Sequence, residues 1–423
     1  MDSRPHVSAP PPSSAPRALP FGEFVALMAF MMALVALSID AMLPALPDIG
    51  ADLGVTSPND VQLIVSVLFL GLAFGQMLYG PLSDATGRKP SVYLGFALFV
   101  VGSVVSLLAP NLNVMLAGRF LQGLGLAGPR VVSVALIRDQ YEGRAMARVM
   151  SFVMSVFIFV PAVAPALGQA ILWLAPWRAI FVILLVLGVA VSIWFALRQP
   201  ETLPPDARAP LRLLRVAAAV REICVHPVAF GYTLAAGLVS SAFLGYLSSA
   251  QQIFGELYGQ GDRFALFFGG LALCIGSASF LNGTLVMRFG MHVLSHGAMF
   301  ALALWSAAFF VLGHGLGGAL PLWLFTVYLG VALFFVGILF GNLNAQAMEP
   351  LGHIVGVGAA VVGSLVTFIS VPFGVWIGQA YDGTVLPLIA GFAACAGLAL
   401  PFIWRARRFP MPSAEAPGTD LLE

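Results

Sequence analysis

The sequence predicts an all-α membrane protein of twelve transmembrane helices arranged as two pseudo-symmetric six-helix bundles. Three observations predict it. Hydrophobic residues make up 60% of the 423-residue chain and charged residues only 9%, whereas a soluble domain carries about 25% charged residues. Apolar stretches long enough to cross about 30 Å of hydrocarbon recur down the chain. The two halves also resemble one another in sequence. A soluble fold could not hide this much apolar surface in its own core, and lipid is the solvent that removes the problem.

The stretches fall near 24–46, 60–82, 91–109, 112–137, 148–172 and 177–197 in the first half. In the second half they fall near 228–254, 264–287, 291–313, 320–345, 354–380 and 385–404. Gly, Pro and charged residues supply the breaks, as in LPDIGADLG, DATGRKP and RQPETLPPDARAP. Residues 1–20, rich in Pro and Ser, read as a disordered tail, and 406–423 as a second tail. The first apolar run is too long for a typical signal-peptide core, and no small-residue cleavage site follows it; it is expected to be a retained span.

Between the bundles at 21–198 and 227–405 lies a linker, 199–226, containing PLRLLRVAAAVREIC. Arg212, Arg215 and Glu222 share one helical face there, and Leu211, Leu214 and Ala218 another, which predicts an interfacial helix lying along the membrane surface. Twelve spans put 16 of the 20 basic residues on the side of the termini and the linker. Only Arg178 and Arg263 fall on the other side, while Arg119 and Arg130 lie inside a span. By the positive-inside rule both termini are cytoplasmic, and the expected location is the bacterial cytoplasmic (inner) membrane.

The internal repeat rests on two matches. GPLSDATGRKP at 80–90 corresponds to GTLVMRFGMHV at 283–293, and Gly168-Gln169-Ala170 corresponds to Gly378-Gln379-Ala380. Parallel repeats of this kind build proteins that rock around a central site.

Ionisable groups at membrane depth are costly and default to functional candidates. Asp40 interrupts the first span, and Arg119 lies at matching depth in the fourth. The two are expected to line one polar cavity, paired directly or through water. Desolvation favours a neutral acid and a neighbouring cation favours the carboxylate; a carboxyl held between these pressures can load and release a proton. Arg130, eleven residues after Arg119 on nearly the same helical face, has no acid at matching depth. It is a candidate for holding an anionic or carbonyl-bearing substrate.

Four segments then carry a family resemblance. The loop Gly80-Pro81-Leu82-Ser83-Asp84-Ala85-Thr86-Gly87-Arg88-Lys89 resembles the signature loop of the Major Facilitator Superfamily, with Ala85 where that family usually has Arg. Leu116-x-x-Arg119-x-x-Gln122-Gly123-x-Gly125 is similar to a motif of its proton-coupled members. Pro161, Pro165 and Gly168 in the fifth span resemble the antiporter motif of its drug exporters. Asp40-Ala41-Met42-Leu43-Pro44-Ala45-Leu46-Pro47 is close to a segment of the bicyclomycin/chloramphenicol-resistance (Bcr/CflA) group. The resemblance implies proton-coupled efflux of small amphipathic compounds such as drugs by alternating access. On that reading Asp40 and Arg119 are the coupling pair, and Gly80, Asp84, Gly87 and Arg88 form a conformational latch. Proton-coupled uptake of a sugar, organic acid or other metabolite is the alternative on the same fold.

Polar groups within apolar spans are the substrate-binding candidates, foremost Tyr246, Gln251 and Asn344, with Arg130. Each must find a partner away from lipid. Other functions have no support in the residues. Three widely separated cysteines (Cys224, Cys274, Cys395) suggest neither a disulfide framework nor a metal site. His292 and His296 lack a third ligand, so neither a metal nor an enzyme is expected. No phosphate-binding G-x-x-x-x-G-K-[ST] loop occurs, and no cofactor is implied. Net charge +1 gives no field to draw nucleic acid. The expected partners are a small-molecule substrate, protons and the lipid bilayer, with the protein acting as a monomer.

Overall fold

In a computed structural model of the chain, residues 19–210 and 213–409 are described. The expected N-terminal tail, apart from its last two residues, and the chain past 409 lie outside them, as do Leu211 and Arg212 of the linker. Among the described residues, eleven helical stretches are long and apolar enough to cross a membrane. The longest, Leu322–Gln379, comprises two helices joined at a short 3-10 turn, Glu349–Ile354, which makes twelve spans.

Spans one to six are Phe21–Asp40, Leu63–Thr86, Arg88–Leu107, Leu112–Gln140, Gly143–Leu174 and Arg178–Arg198. Spans seven to twelve are Pro227–Gln251, Phe264–Phe289, Met291–Gly315, Leu322–Met348, Val355–Gln379 and Leu386–Arg407. An even number of crossings puts the starts of spans one and seven and the ends of six and twelve at one end of the molecule, here the terminal end. The other is the outer end.

The repeat seen in sequence is also a repeat of backbone geometry. Gly87 and Gly290 end spans two and eight with φ of 107° and 79°, a region that glycine enters without a Cβ penalty. Each donates its N–H back into the span it closes, to Ser83 and Val286 respectively. The halves meet along two seams, span two against span eleven and span five against span eight. A pseudo-twofold that exchanges the halves exchanges these seams. On one, the Ser364 hydroxyl donates to the Ala73 carbonyl at 2.7 Å. On the other, Gly269 lets span eight approach the Ala162 carbonyl, which a Cβ would meet at 2.7 Å. Close approach through small residues is how helices associate where lipid removes the hydrophobic drive.

Spans one and seven are the most enclosed. The outward faces are apolar, with Leu174, Phe280 and Met287 strongly exposed, as lipid requires. Trp173, Trp323 and Trp376 are exposed near the outer ends of spans five, ten and eleven, where amphipathic rings suit the bilayer interface.

The linker forms the helix Leu213–Val225, but its packed face differs from the expected one. Val216, Ala219 and Ile223 are buried, whereas Leu214 and Ala218 are exposed. The row Val216, Ala219 and Ile223, about 140° round the helix from the expected one, is the one that meets the bundle.

Every ion pair among the described residues lies within one half or ties a half to the linker helix. The polar contacts that cross between the halves are neutral hydrogen bonds.

Candidate transport site

Span one is regular only to Asp40. Pro44 and Pro47 have no N–H to continue the helical ladder, so the chain passes through a 3-10 turn at Leu43–Ala45 into a short helix, Leu46–Asp52. The sequence pattern had carried this span unbroken to residue 46. The last bond of the regular helix runs from the Ala41 N–H to the Leu37 carbonyl, so carbonyls at the break need other donors.

Arg119 is one such donor. It is fully buried. Its Nη2 donates to the Ser38 carbonyl at 2.8 Å, its Nε to the Ile64 carbonyl at 3.1 Å and its Nη1 to the Gln122 side chain at 2.7 Å. Gln122 in turn donates to Ser103 at 2.8 Å, which donates to the Phe99 carbonyl. The guanidinium thus joins spans one, two and four. It also stands 5.9 Å from the centre of the Phe181 ring, a cation–π distance.

Asp40 is 5% exposed. Among the described residues its carboxyl has neither a hydrogen bond nor an ion pair. Arg119 reaches the backbone two residues before it rather than the carboxyl itself, so the direct pairing allowed by the sequence is absent. In the other half, Tyr246 of span seven is a second enclosed polar side chain. Tyr246 is 2% exposed, its hydroxyl has no partner among the described residues, and its ring stacks on Phe268 at 5.6 Å.

Pro161, Pro165 and Gly168 lie on span five, which packs against span one. Gly168 lies against the Ala41 carbonyl, and a Cβ there would overlap that oxygen. Pro165 is buried and Pro161 half-buried on the same span.

The remaining candidates are dispersed. Asn344 is half-buried and bonds the Phe340 carbonyl of its own helix. Arg130 is half-buried, with no hydrogen bond or ion pair among the described residues. Gln251 is at the outer end, not midway through the bundle. No three His, Cys, Asp or Glu side chains gather as a metal site among the described residues.

At the outer end Asn59 clasps the two halves. Its amide donates to the carbonyls of Gln379 and Tyr381 at 3.0 and 2.9 Å and accepts from Gln252 at 2.8 Å. Gln379 donates back to the Asn59 carbonyl at 2.8 Å. Burial, with Glu256 and Asp382 nearby, pushes the Tyr381 phenol up to about 12, so its hydroxyl remains a donor to the Gln252 carbonyl. Deeper in, the Ser66 and Ser248 hydroxyls lie 3.4 Å apart across the same divide.

At the terminal end Arg88 bridges Asp84 to Asp139 at the end of span four. Glu201, just past span six, accepts from the backbone N–H groups of Arg88 and Lys89 at 2.9 and 3.0 Å. Gly87 leaves room for it, since a Cβ there would lie 2.7 Å from the Glu201 carboxylate. Gly80 faces Ala360 of span eleven.

A family model described as the Major Facilitator Superfamily matches residues 28–375. The chain belongs to the Major Facilitator Superfamily. An uncharacterized MFS-type transporter of Bacillus subtilis, YdgK, is 31% identical over 82% of this chain and 87% of its own length. A bicyclomycin resistance protein homolog of Haemophilus influenzae is 29% identical over 88% and 93%. The multidrug resistance protein MdtL of Escherichia coli matches at 33% over 40% of this chain and 44% of its own. Among solved structures, the xylose transporter XylE of E. coli in a partially occluded inward-open form overlays with a TM-score of 0.69. It is 12% identical and covers 91% of this chain and 97% of its own, so it speaks for the fold alone. The protein is an integral membrane transporter of the superfamily, with relatives in its drug-resistance group. Its fold and relatives are those of transporters and not of enzymes.

Several residues of this superfamily member escaped the sequence reading. Asn59 sits in an ordinary polar loop and carries no motif. Gln379 was visible only as part of the repeated Gly-Gln-Ala, a pattern that points to kinship of the halves without revealing a contact between them. Asp139 and Glu201 lie 51 and 113 residues from Arg88, and nothing local to the loop names them.

Proposed function

We propose that this transporter exports small amphipathic compounds in exchange for protons, by alternating access, from the cytoplasmic membrane of a bacterium. The observation that carries the reading is Asp40: a carboxyl enclosed at the break of span one, with no cation on it. A buried charge without a partner is costly, and taking up a proton removes that cost. Releasing the proton restores the cost unless the surroundings change. Protonation of Asp40 is thereby tied to the packing of the break, which Arg119 and Gly168 hold on either side.

In this scheme the termini are cytoplasmic, as the distribution of basic residues implies. The outer clasp is closed and opens to release substrate. Arg88, Asp84 and the glycines beside them latch the terminal end. Tyr246, whose buried hydroxyl has no partner among the described residues, contacts substrate, and Arg130 and Asn344 offer polar contacts on the cytoplasmic side. The protein works as a monomer. The drug-resistance names among its relatives favour export over uptake.

The test is accumulation of a panel of antibiotics and dyes in everted membrane vesicles, with and without an uncoupler. Asp40→Asn is expected to insert normally and to lose uncoupler-sensitive transport. Undiminished proton-driven transport by that variant would remove Asp40 from the mechanism. Substrate movement into intact cells in response to a proton gradient would reverse the direction.

A further inference from the structure

Two cavities, of about 290 and about 200 Å³, lie at the outer junction of the halves and share the walls Pro47 and Gln251. The larger opens outward and is lined by Asp48 beside the break of span one, by Gln169 and Trp173 at the end of span five, and by Asp262 and Phe264 where span eight begins. The smaller adds Gln62 and Glu256.

Gln251 sits between them, only 7% exposed, and its amide makes no hydrogen bond with any described residue. A buried amide carries two donors and an acceptor that must be satisfied, and leaving them unmet is expensive. Its polar end therefore faces the contents of the cavities. Those contents are set by the charges around them. Asp48 and Asp262 line one cavity and Glu256 the other, and no Lys, Arg or His lines either. The cations of the outer face are few: Arg178 is committed to Asp52, and Arg263 adjoins Asp262. Trp173 and Phe264 add aromatic faces, which attract a desolvated cation.

We propose that this junction is a binding site for small organic cations, an ammonium group with about one aromatic ring, distinct from the region around Asp40. Acidic side chains receive the charge, the Gln251 carbonyl accepts from or solvates the ammonium, and Trp173 covers the ring. Both halves contribute walls, so the site exists in this arrangement of the halves and is reshaped when they part. The site does not depend on proton coupling.

The test uses the full chain in lipid nanodiscs and benzyltrimethylammonium as probe, read by calorimetry and tryptophan fluorescence. Saturable binding is expected. Joint Asp48→Asn and Asp262→Asn substitution should weaken it about tenfold, through loss of the two solvated charge–charge attractions. Gln251→Glu should tighten it, a gain that misfolding cannot produce. Asp40→Asn should leave it unchanged whether or not transport survives, which separates this site from the coupling mechanism. The proposal is overturned if binding does not saturate by about 10 mM. It is equally overturned if benzyl alcohol, which has the ring without the charge, binds as well, or if the acidic variants bind as wild type.

Discussion

The Arg119 guanidinium donates to the Ser38 carbonyl, 2.8 Å away and two residues short of Asp40. The negative end of a helix dipole thus supplies part of the partner that a carboxylate would normally supply to a buried arginine. Substitution of Arg119 should separate charge from geometry. Arg119→Ala leaves acceptors on three spans unmet and is expected to cost about 3 kcal/mol of stability, read as a lower melting temperature in detergent. Arg119→Lys keeps the charge but cannot reach three acceptors at once. It should recover most of the stability without recovering uncoupler-sensitive transport. Full transport by the lysine variant would mean that charge alone suffices.

Gly168 has no room for a side chain. Gly168→Ala should push the break of span one away from span five, destabilise the protein by about 1–3 kcal/mol and abolish transport. Gly270→Ala is the control, since a Cβ there meets nothing within 4 Å. Equal behaviour of the two variants in a resistance assay would show that the contact at Ala41 is dispensable.

Ser66 and Ser248 report on the outer seam. In a background with Cys224, Cys274 and Cys395 replaced by Ser, the pair Ser66→Cys and Ser248→Cys should cross-link under mild oxidant and arrest transport reversibly. Adding Asn59→Leu, which removes the clasp, should lower the cross-linking rate about fivefold, the factor for roughly 1 kcal/mol. An unchanged rate would mean that the clasp does not hold the outer end closed.

Glu201 caps the start of span three from a distance in sequence. Glu201→Ala should cost about 1 kcal/mol, as loss of an N-terminal cap does, and Glu201→Gln less, because one amide oxygen still accepts. Thermal melts of the two variants beside wild type decide this; identical melting of all three would assign the cap no weight.

The spans were legible because lipid imposes a length and a composition that few other structures share. The turns at Gly87 and Gly290 were legible because only glycine adopts their backbone readily. What could not be read were partners far apart in sequence. The depth argument brought Arg119 to the right level, yet its acceptor is the Ser38 carbonyl, left open where the helix breaks ahead of prolines six and nine residues further on, and a carbonyl has no letter in the sequence. Asn59 and Glu201 were missed for the same reason: a side-chain amide or carboxylate in a polar loop looks like solvated surface until the fold brings its partners to it. On the linker helix the apolar row that packs lies on a different face from the expected one, because several alanines make its faces nearly equivalent.

The neutral character of the contacts between the halves bears on how easily the molecule changes shape. Parting the two bundles separates amides, hydroxyls and carbonyls, groups that water can rehydrate at little net cost, and pulls apart no opposite charges. The seam then acts as a neutral bearing. Its rate of switching should be nearly indifferent to ionic strength.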